Sequence, residues 1–175
     1  MPYNSDYPVI PDKDTDRLMQ GNPIFMEQAI ALATENVTSG RGGPFGAVIV
    51  RDGKVLASGA NMVTVDNDPT AHAEITVIRR ACAALGTFRL EGCEIYTSCE
   101  PCPMCLAAIY WSHCSAIFYG STAADAARAG FDDAFLYDEA KKPVEERKIP
   151  TINLMREKAI SSFEAWHKSA SRIDY

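Results

Sequence analysis

Two short segments, His72-Ala73-Glu74 and Pro101-Cys102-Pro103-Met104-Cys105, constrain the fold of this chain more than any other feature. One imidazole and two thiols are three ligands for a tetrahedral zinc, with the fourth position left open to water. For His72, Cys102 and Cys105 to serve one ion, the chain between them must bring both segments to a common point. Cys102 and Cys105 lie three apart at an expected helix start, which turns both sulfurs to one face. Unpaired backbone N–H groups and the helix dipole at that end favour thiolates, the form zinc binds. His72 is expected in the first turn of the preceding helix, so two helix N-termini meet at one zinc per chain.

Zinc with two thiolates and a neutral imidazole is formally uncharged, a weaker Lewis acid than a three-histidine site. Its water therefore needs a carboxylate to carry protons, and Glu74, two residues from the imidazole, is the candidate. The plain alternative for Glu74 is a surface salt bridge. Cys99 adds an overlapping Cys-x-x-Cys pair, so a closed four-ligand site without catalysis is a second alternative. Cys99 precedes Pro101 and is expected to be extended, which keeps it off the helical face. His113 and His167 are read as structural or exposed.

Composition narrows the class. A chain of 175 residues with 47% hydrophobic and 23% charged content suits one domain with a sizeable core. No apolar run approaches the roughly 18 residues of a membrane span, and no signal-peptide pattern opens the chain. Six cysteines fit a cytoplasmic protein if they are ligands or core thiols. Residues 21–140 carry 7 Lys/Arg against 14 Asp/Glu, whereas 141–175 carry 8 against 5. Nucleic-acid binders usually show a basic footprint. The region holding the metal motif is acidic, so a small uncharged substrate is expected.

Residues 1–22, with Pro2, Pro8, Pro11 and a mixed Asp/Lys run, read as a flexible arm before a single domain over 23–175. Helical spacing covers 24–38, ending near Gly40. Gly42-Gly43-Pro44 makes a turn, without the lysine or length of a phosphate loop. Ala47–Val50 and Val55–Ala60 flank Asp52-Gly53, a hairpin signal. Asp68 as cap and Pro69 as first helical residue predict a helix over 69–85. Cys93–Ser98 reads as a strand, Pro103–Trp111 as a helix, Ala116–Tyr119 as a strand and Thr122–Ala129 as a short helix. A polar loop is expected over 130–150, a strand near Ile152–Leu154 and a closing helix around Ser162–Ser169. Strands alternating with helices predict an α/β layered sheet.

The stretches Gly42-Gly43-Pro44-Phe45-Gly46-Ala47-Val48, Asn67-Asp68-Pro69-Thr70-Ala71-His72-Ala73-Glu74 and Thr97-Ser98-Cys99-Glu100-Pro101-Cys102-Pro103-Met104-Cys105 carry a resemblance. Asn61, Ala108-Ile109-Tyr110-Trp111, Gly130-Phe131-Asp132-Asp133, Phe163-Glu164-Ala165-Trp166 and terminal Tyr175 extend it. The chain resembles the cytidine deaminase superfamily, whose H-x-E…P-C-x-x-C signature specifies zinc-dependent deaminases of nucleobases. Within it, Gly-Phe-Asp-Asp and the tyrosine-terminated tail favour the small zinc-dependent guanine deaminases. The likeness runs from about residue 24 to the C-terminus, and the arm over 1–22 departs from it.

The resemblance implies a three-layer α/β/α fold around a central five-stranded mixed sheet. It implies a homodimer in which a segment of about 151–175 crosses to cover the partner's site, so that Tyr175 acts in trans. In the implied reaction Glu74 takes a proton from the attacking water, which adds at carbon 2 of guanine. Glu74 then supplies protons to the adjacent ring nitrogen and the leaving amine, giving xanthine and ammonia. Asn61 is suited to pairing with a purine edge, or is a strand-end turn residue. Phe45 is a stacking wall or core. Asp133 is the candidate acceptor for guanine's N–H groups, whereas Asp132 reads as solvated, and Trp111 as core. The backbone N–H of Ala73 is a further candidate substrate donor. Competing substrates are guanosine, cytosine, or another amino-substituted ring such as ammeline. Competing classes are a tRNA or DNA editing deaminase and a non-catalytic zinc-stabilised binding module.

Overall fold

The computed structural model describes residues 20–174. Most of the expected N-terminal arm, residues 1–19, lies outside the described residues, as does Tyr175. The chain divides into a first compact unit ending at Ala134 and a second beginning at Phe135.

The first unit is built on a mixed sheet. Strands β1 (Gly46–Arg51) and β2 (Lys54–Ala60) form an antiparallel hairpin. Its two-residue turn, Asp52-Gly53, has φ of 51° and 70°, the left-handed pair that matches strand twist. β3 (Cys93–Cys99) pairs antiparallel with β1, and β4 (Ala116–Ser121) pairs parallel with β3, giving the order β2-β1-β3-β4.

Helix α1 (Pro23–Thr38) begins where the Asn22 side chain accepts a hydrogen bond from Ile24 N–H and Pro23 presets the first φ. It covers one face of the sheet, burying Phe25 and Ala29 against Val48, Val50 and Tyr96. Gly46 allows this approach, since a Cβ there would lie 2.3 Å from the Ala29 carbonyl oxygen. The opposite face of β1, carrying Ala47 and Ile49, meets α3 (Ala73–Leu85) through Val77 and Ala81, and α4 (Pro103–Trp111) through Ile109. Alternation along β1 thus feeds two cores, one on each face of the sheet, in the α/β layering the pattern predicted. Short helices α2 (Val63–Asp66) and α5 (Ala123–Arg128) complete this unit; Thr122 and Asp125 close a capping box on α5. The second unit holds most of α6 (Ala134–Lys141), a short 3-10 turn at Val144–Glu146, and α7 (Arg156–Lys168).

Several expectations need correction. Among the described residues the sheet has four strands, not five. The expected strand at Ile152–Leu154 makes no ladder, and its apolar side chains, 82% and 80% exposed, find no face to pack on. Asp68 does cap, but it caps a turn, accepting from both Thr70 N–H (2.8 Å) and Thr70 Oγ1 (2.7 Å). The helix therefore starts at Ala73, with His72 as its extended N-cap. The expected loop over 130–150 contains α6, because Asp132 Oδ1 accepts from Ala134 N–H (3.0 Å) and starts a helical turn. The closing helix begins earlier than expected, at Arg156.

Candidate active site

His72 and Cys102 are the N-cap residues of α3 and α4, both with extended backbone, and neither side chain caps its own helix. Each is thereby free to point across the junction between the two helix starts. His72 Nδ1 stands 3.6 Å from Cys102 Sγ and 3.5 Å from Cys105 Sγ. Tetrahedral zinc, with Zn–S near 2.3 Å and Zn–N near 2.0–2.1 Å, separates such ligands by roughly 3.6 Å. The three donor atoms all lie within 4.8 Å of one another. The residues fit one zinc, as their spacing predicted. Cys99 stands apart from this trio: it ends β3 and its Sγ is 3.7 Å from the Thr122 carbonyl.

The sulfurs are electrostatically unequal. The hydrogen bond from the Cys105 thiol, reinforced by His72, holds the Cys102 thiol well below its usual range, which favours the thiolate. Cys105 is pushed up, first by donating to Cys102 and then by burial and the facing Glu74 carboxylate. The Cys102 sulfur raises His72 in turn.

Glu74, the second residue of α3, is 5% exposed. Its Oε1 accepts from Thr97 Oγ1 at 2.9 Å and its Oε2 from Cys105 Sγ at 3.4 Å. Burial lifts this carboxyl above the usual carboxylate range, partly offset by those two hydrogen bonds. A buried carboxyl raised in this way is suited to take and return a proton. Its burial excludes the surface salt bridge.

A cavity of about 540 Å3 opens beside His72 and Cys102. It brings together Phe45, Asn61, His72, Glu74, Cys102 and Asp133. Asn61 follows β2 and is buried, with its Oδ1 accepting from Val63 N–H at 3.2 Å. That bond fixes the amide orientation, so Asn61 has Nδ2 donors to offer a ligand. Phe45 meets Phe131 edge-to-face, ring centroids 4.9 Å apart, forming an aromatic wall. Asp133 is half-buried and raised, by desolvation first and by the Cys102 charge second. Asp132 also borders the cavity, but one of its carboxylate oxygens is engaged at the start of α6. The Ala73 side chain is packed in the core beneath α3. Its N–H opens that helix, where no intrahelical acceptor exists.

Three cavity or support residues escaped sequence reasoning as individuals. Phe131 was seen only as part of a motif. Thr97 shares the core-facing register of Cys93 and Ile95, so a polar residue at that position was the available signal. Glu100 borders the cavity and accepts from Ala123 N–H (3.0 Å) at the start of α5, a contact with no local sequence signature.

Residues 19–121 match the cytidine and deoxycytidylate deaminase zinc-binding region. A guanine deaminase of Bacillus subtilis is 54% identical over 151 residues, covering 86% of this chain and 97% of that protein. The X-ray structure of guanine deaminase from Bacillus subtilis superposes with a TM-score of 0.86 at 52% identity, covering 89% of this chain and 99% of that one. A tRNA-specific adenosine deaminase of Agrobacterium fabrum is 51% identical over 78 residues, 45% of this chain and 51% of that protein. The chain belongs to the zinc-binding cytidine and deoxycytidylate deaminase family, and His72, Cys102 and Cys105 are placed to hold its metal. Among the described residues no helix is long and apolar enough to cross a membrane.

Proposed function

We propose that this protein hydrolyses guanine to xanthine and ammonia, with Glu74 as its proton carrier. The observation that carries the reading is the likeness to guanine deaminase through nearly the whole of that protein, joined to a buried carboxyl beside a three-ligand zinc site. The likeness to the tRNA deaminase covers only about half of that protein, so a free base is favoured over RNA.

Zinc held by the trio supplies a lowered water pKa and charge stabilisation at the attacked carbon. Glu74 takes the proton from the attacking water and delivers it to the ring nitrogen beside carbon 2. It then takes the remaining proton from the hydroxyl now on carbon 2 and passes it to the leaving amine, so that the carbonyl of xanthine forms as the carbon–nitrogen bond breaks. Asp133 accepts from guanine's N–H groups, Asn61 Nδ2 donates to an acceptor on the opposite ring edge, and Phe45 flanks the ring plane. Asp133 and Asn61 present opposite polarity, which suits a base carrying donors on one edge and acceptors on another. Ala73 N–H, at the start of α3 beside His72, is a further donor to the substrate.

The C-terminal segment, about 151–175, is read as exchanged in a homodimer, with Tyr175 completing the partner's site. The exposure of Ile149, Ile152, Leu154 and Phe163 within the second unit supports a partner for this segment. Six free cysteines suit a reducing, cytoplasmic setting. The test is a substrate panel on zinc-loaded full-length protein, with ammonia release measured for guanine, guanosine, cytosine, ammeline and a tRNA anticodon stem. Guanine should be turned over fastest. Faster turnover of any other substrate overturns the assignment.

A further inference from the structure

Asn36 sits near the end of α1 and is 1% exposed, a polar side chain in an otherwise tightly packed position. Its Nδ2 donates to two carbonyls, Gly43 O and Asn61 O, each at 2.9 Å. The two hydrogens of the amide are thereby both committed. Its own backbone carbonyl accepts from Arg41 N–H (3.0 Å) and Gly42 N–H (3.2 Å). One residue thus ties together a helix end, the Gly42-Gly43 turn and the end of β2.

Both side-chain acceptors belong to residues that border the cavity. From Asn61 the connection continues, because its N–H donates to Phe45 O at 2.9 Å while its Oδ1 accepts from Val63 N–H. Gly42 is packed onto the same junction: a Cβ there would lie 2.8 Å from both Asn36 Nδ2 and the Asn61 carbonyl oxygen. Leucine at position 36 would fill the space without donating, and aspartate would set an anion against two carbonyl oxygens.

We propose that Asn36 is a positioning residue for the substrate's ring, acting through Asn61. It holds the Asn61 backbone and the Gly43–Phe45 turn in one arrangement, so that the Asn61 amide and the Phe45 ring border the cavity at fixed places. The inference rests on guanine as the substrate; Asn36 itself touches no ligand.

The test is a double-mutant cycle on zinc-loaded full-length protein, using Asn36→Leu, Asn61→Ala and the double variant, with Gly42→Ala as an independent wedge. Kinetics with guanine, zinc per chain and backbone amide exchange without substrate are read on each. Asn36→Leu should raise KM by about tenfold, with a smaller change in kcat, the scale of losing one hydrogen bond's worth of alignment. Zinc should stay at one per chain, and the Asn61 and Val63 amides should exchange faster. Gly42→Ala should reproduce this pattern. In the Asn61→Ala background Asn36→Leu should cost less than about twofold, the non-additivity expected of one residue acting through another. An equal cost in both backgrounds, zinc loss accounting for the defect, or unchanged exchange at Asn61 and Val63 overturns the proposal. If Asn36→Leu does not fold, Gly42→Ala carries the same cycle with the same expectations. If the parent protein leaves guanine untouched, the guanine reading fails, while exchange still decides whether Asn36 holds Asn61.

Discussion

Replacing Thr97 by valine removes one hydroxyl and keeps the β-branched shape that sits opposite Ala47 in the β1–β3 ladder. That hydroxyl donates to Glu74 Oε1 at 2.9 Å and offsets part of the penalty that burial imposes on the charged form. A hydrogen bond to a charged group is worth roughly 1.5–3 kcal/mol, so its loss should raise Glu74 further and lower the rate at the acid end by about 10- to 100-fold. Glu74 begins the reaction as the carboxylate. A higher pKa keeps it protonated to higher pH, so the acid limb of kcat/KM must move upward. The assay is the initial rate of ammonia release from guanine across pH, with zinc content measured on the same samples. Thr97→Ser retains the donor and should leave the limb near that of the parent. An acid limb that stays in place or moves down in Thr97→Val, with zinc retained, refutes the reasoning.

Asp133→Asn puts an N–H where an acceptor is required, and guanine turnover should fall by about 10- to 100-fold with zinc retained; rates like the parent's would remove Asp133 from the site. Cys102→Ser should lose zinc while Cys99→Ser keeps it, as metal analysis of the two purified variants would show, because only Cys102 faces His72 and Cys105. Removing the last few residues should abolish guanine turnover without releasing zinc if Tyr175 completes the partner's site; full activity in the truncated protein would end that reading.

Much of the site was legible because its chemistry is concentrated in two short segments. His72, Cys102 and Cys105 converge as their spacing required, and the Asp52-Gly53 turn and Pro103 helix start appear where local backbone preferences place them. The start of α3 was less legible. Asp68-Pro69 suits a turn as well as a helix cap, and the Asp68–Thr70 turn leaves His72 extended as the N-cap of α3. Helix α6 was hidden by its acidic and basic residues, which read as loop until Asp132 is seen to cap it and Asp138 to pair with Lys141. A strand near Ile152–Leu154 was expected from the sequence and a five-stranded sheet from the resemblance, yet a segment becomes a strand only where a neighbour supplies a ladder. Thr97, Glu100 and Asn36 were invisible for a shared reason. Each works through a partner 23 to 25 positions away in sequence, a separation no local pattern encodes.

The central claim is that Glu74 carries protons for guanine hydrolysis at a zinc held by His72, Cys102 and Cys105. The most direct measurement compares zinc-loaded parent protein with Glu74→Gln, following xanthine and ammonia from guanine alongside zinc per chain. The account predicts equimolar xanthine and ammonia from the parent. In Glu74→Gln it predicts a rate lower by at least about a hundredfold, the scale of positioned acid–base catalysis, with one zinc still bound. A parent that forms no xanthine, or a zinc-replete Glu74→Gln that forms it at the parent's rate, would contradict the account.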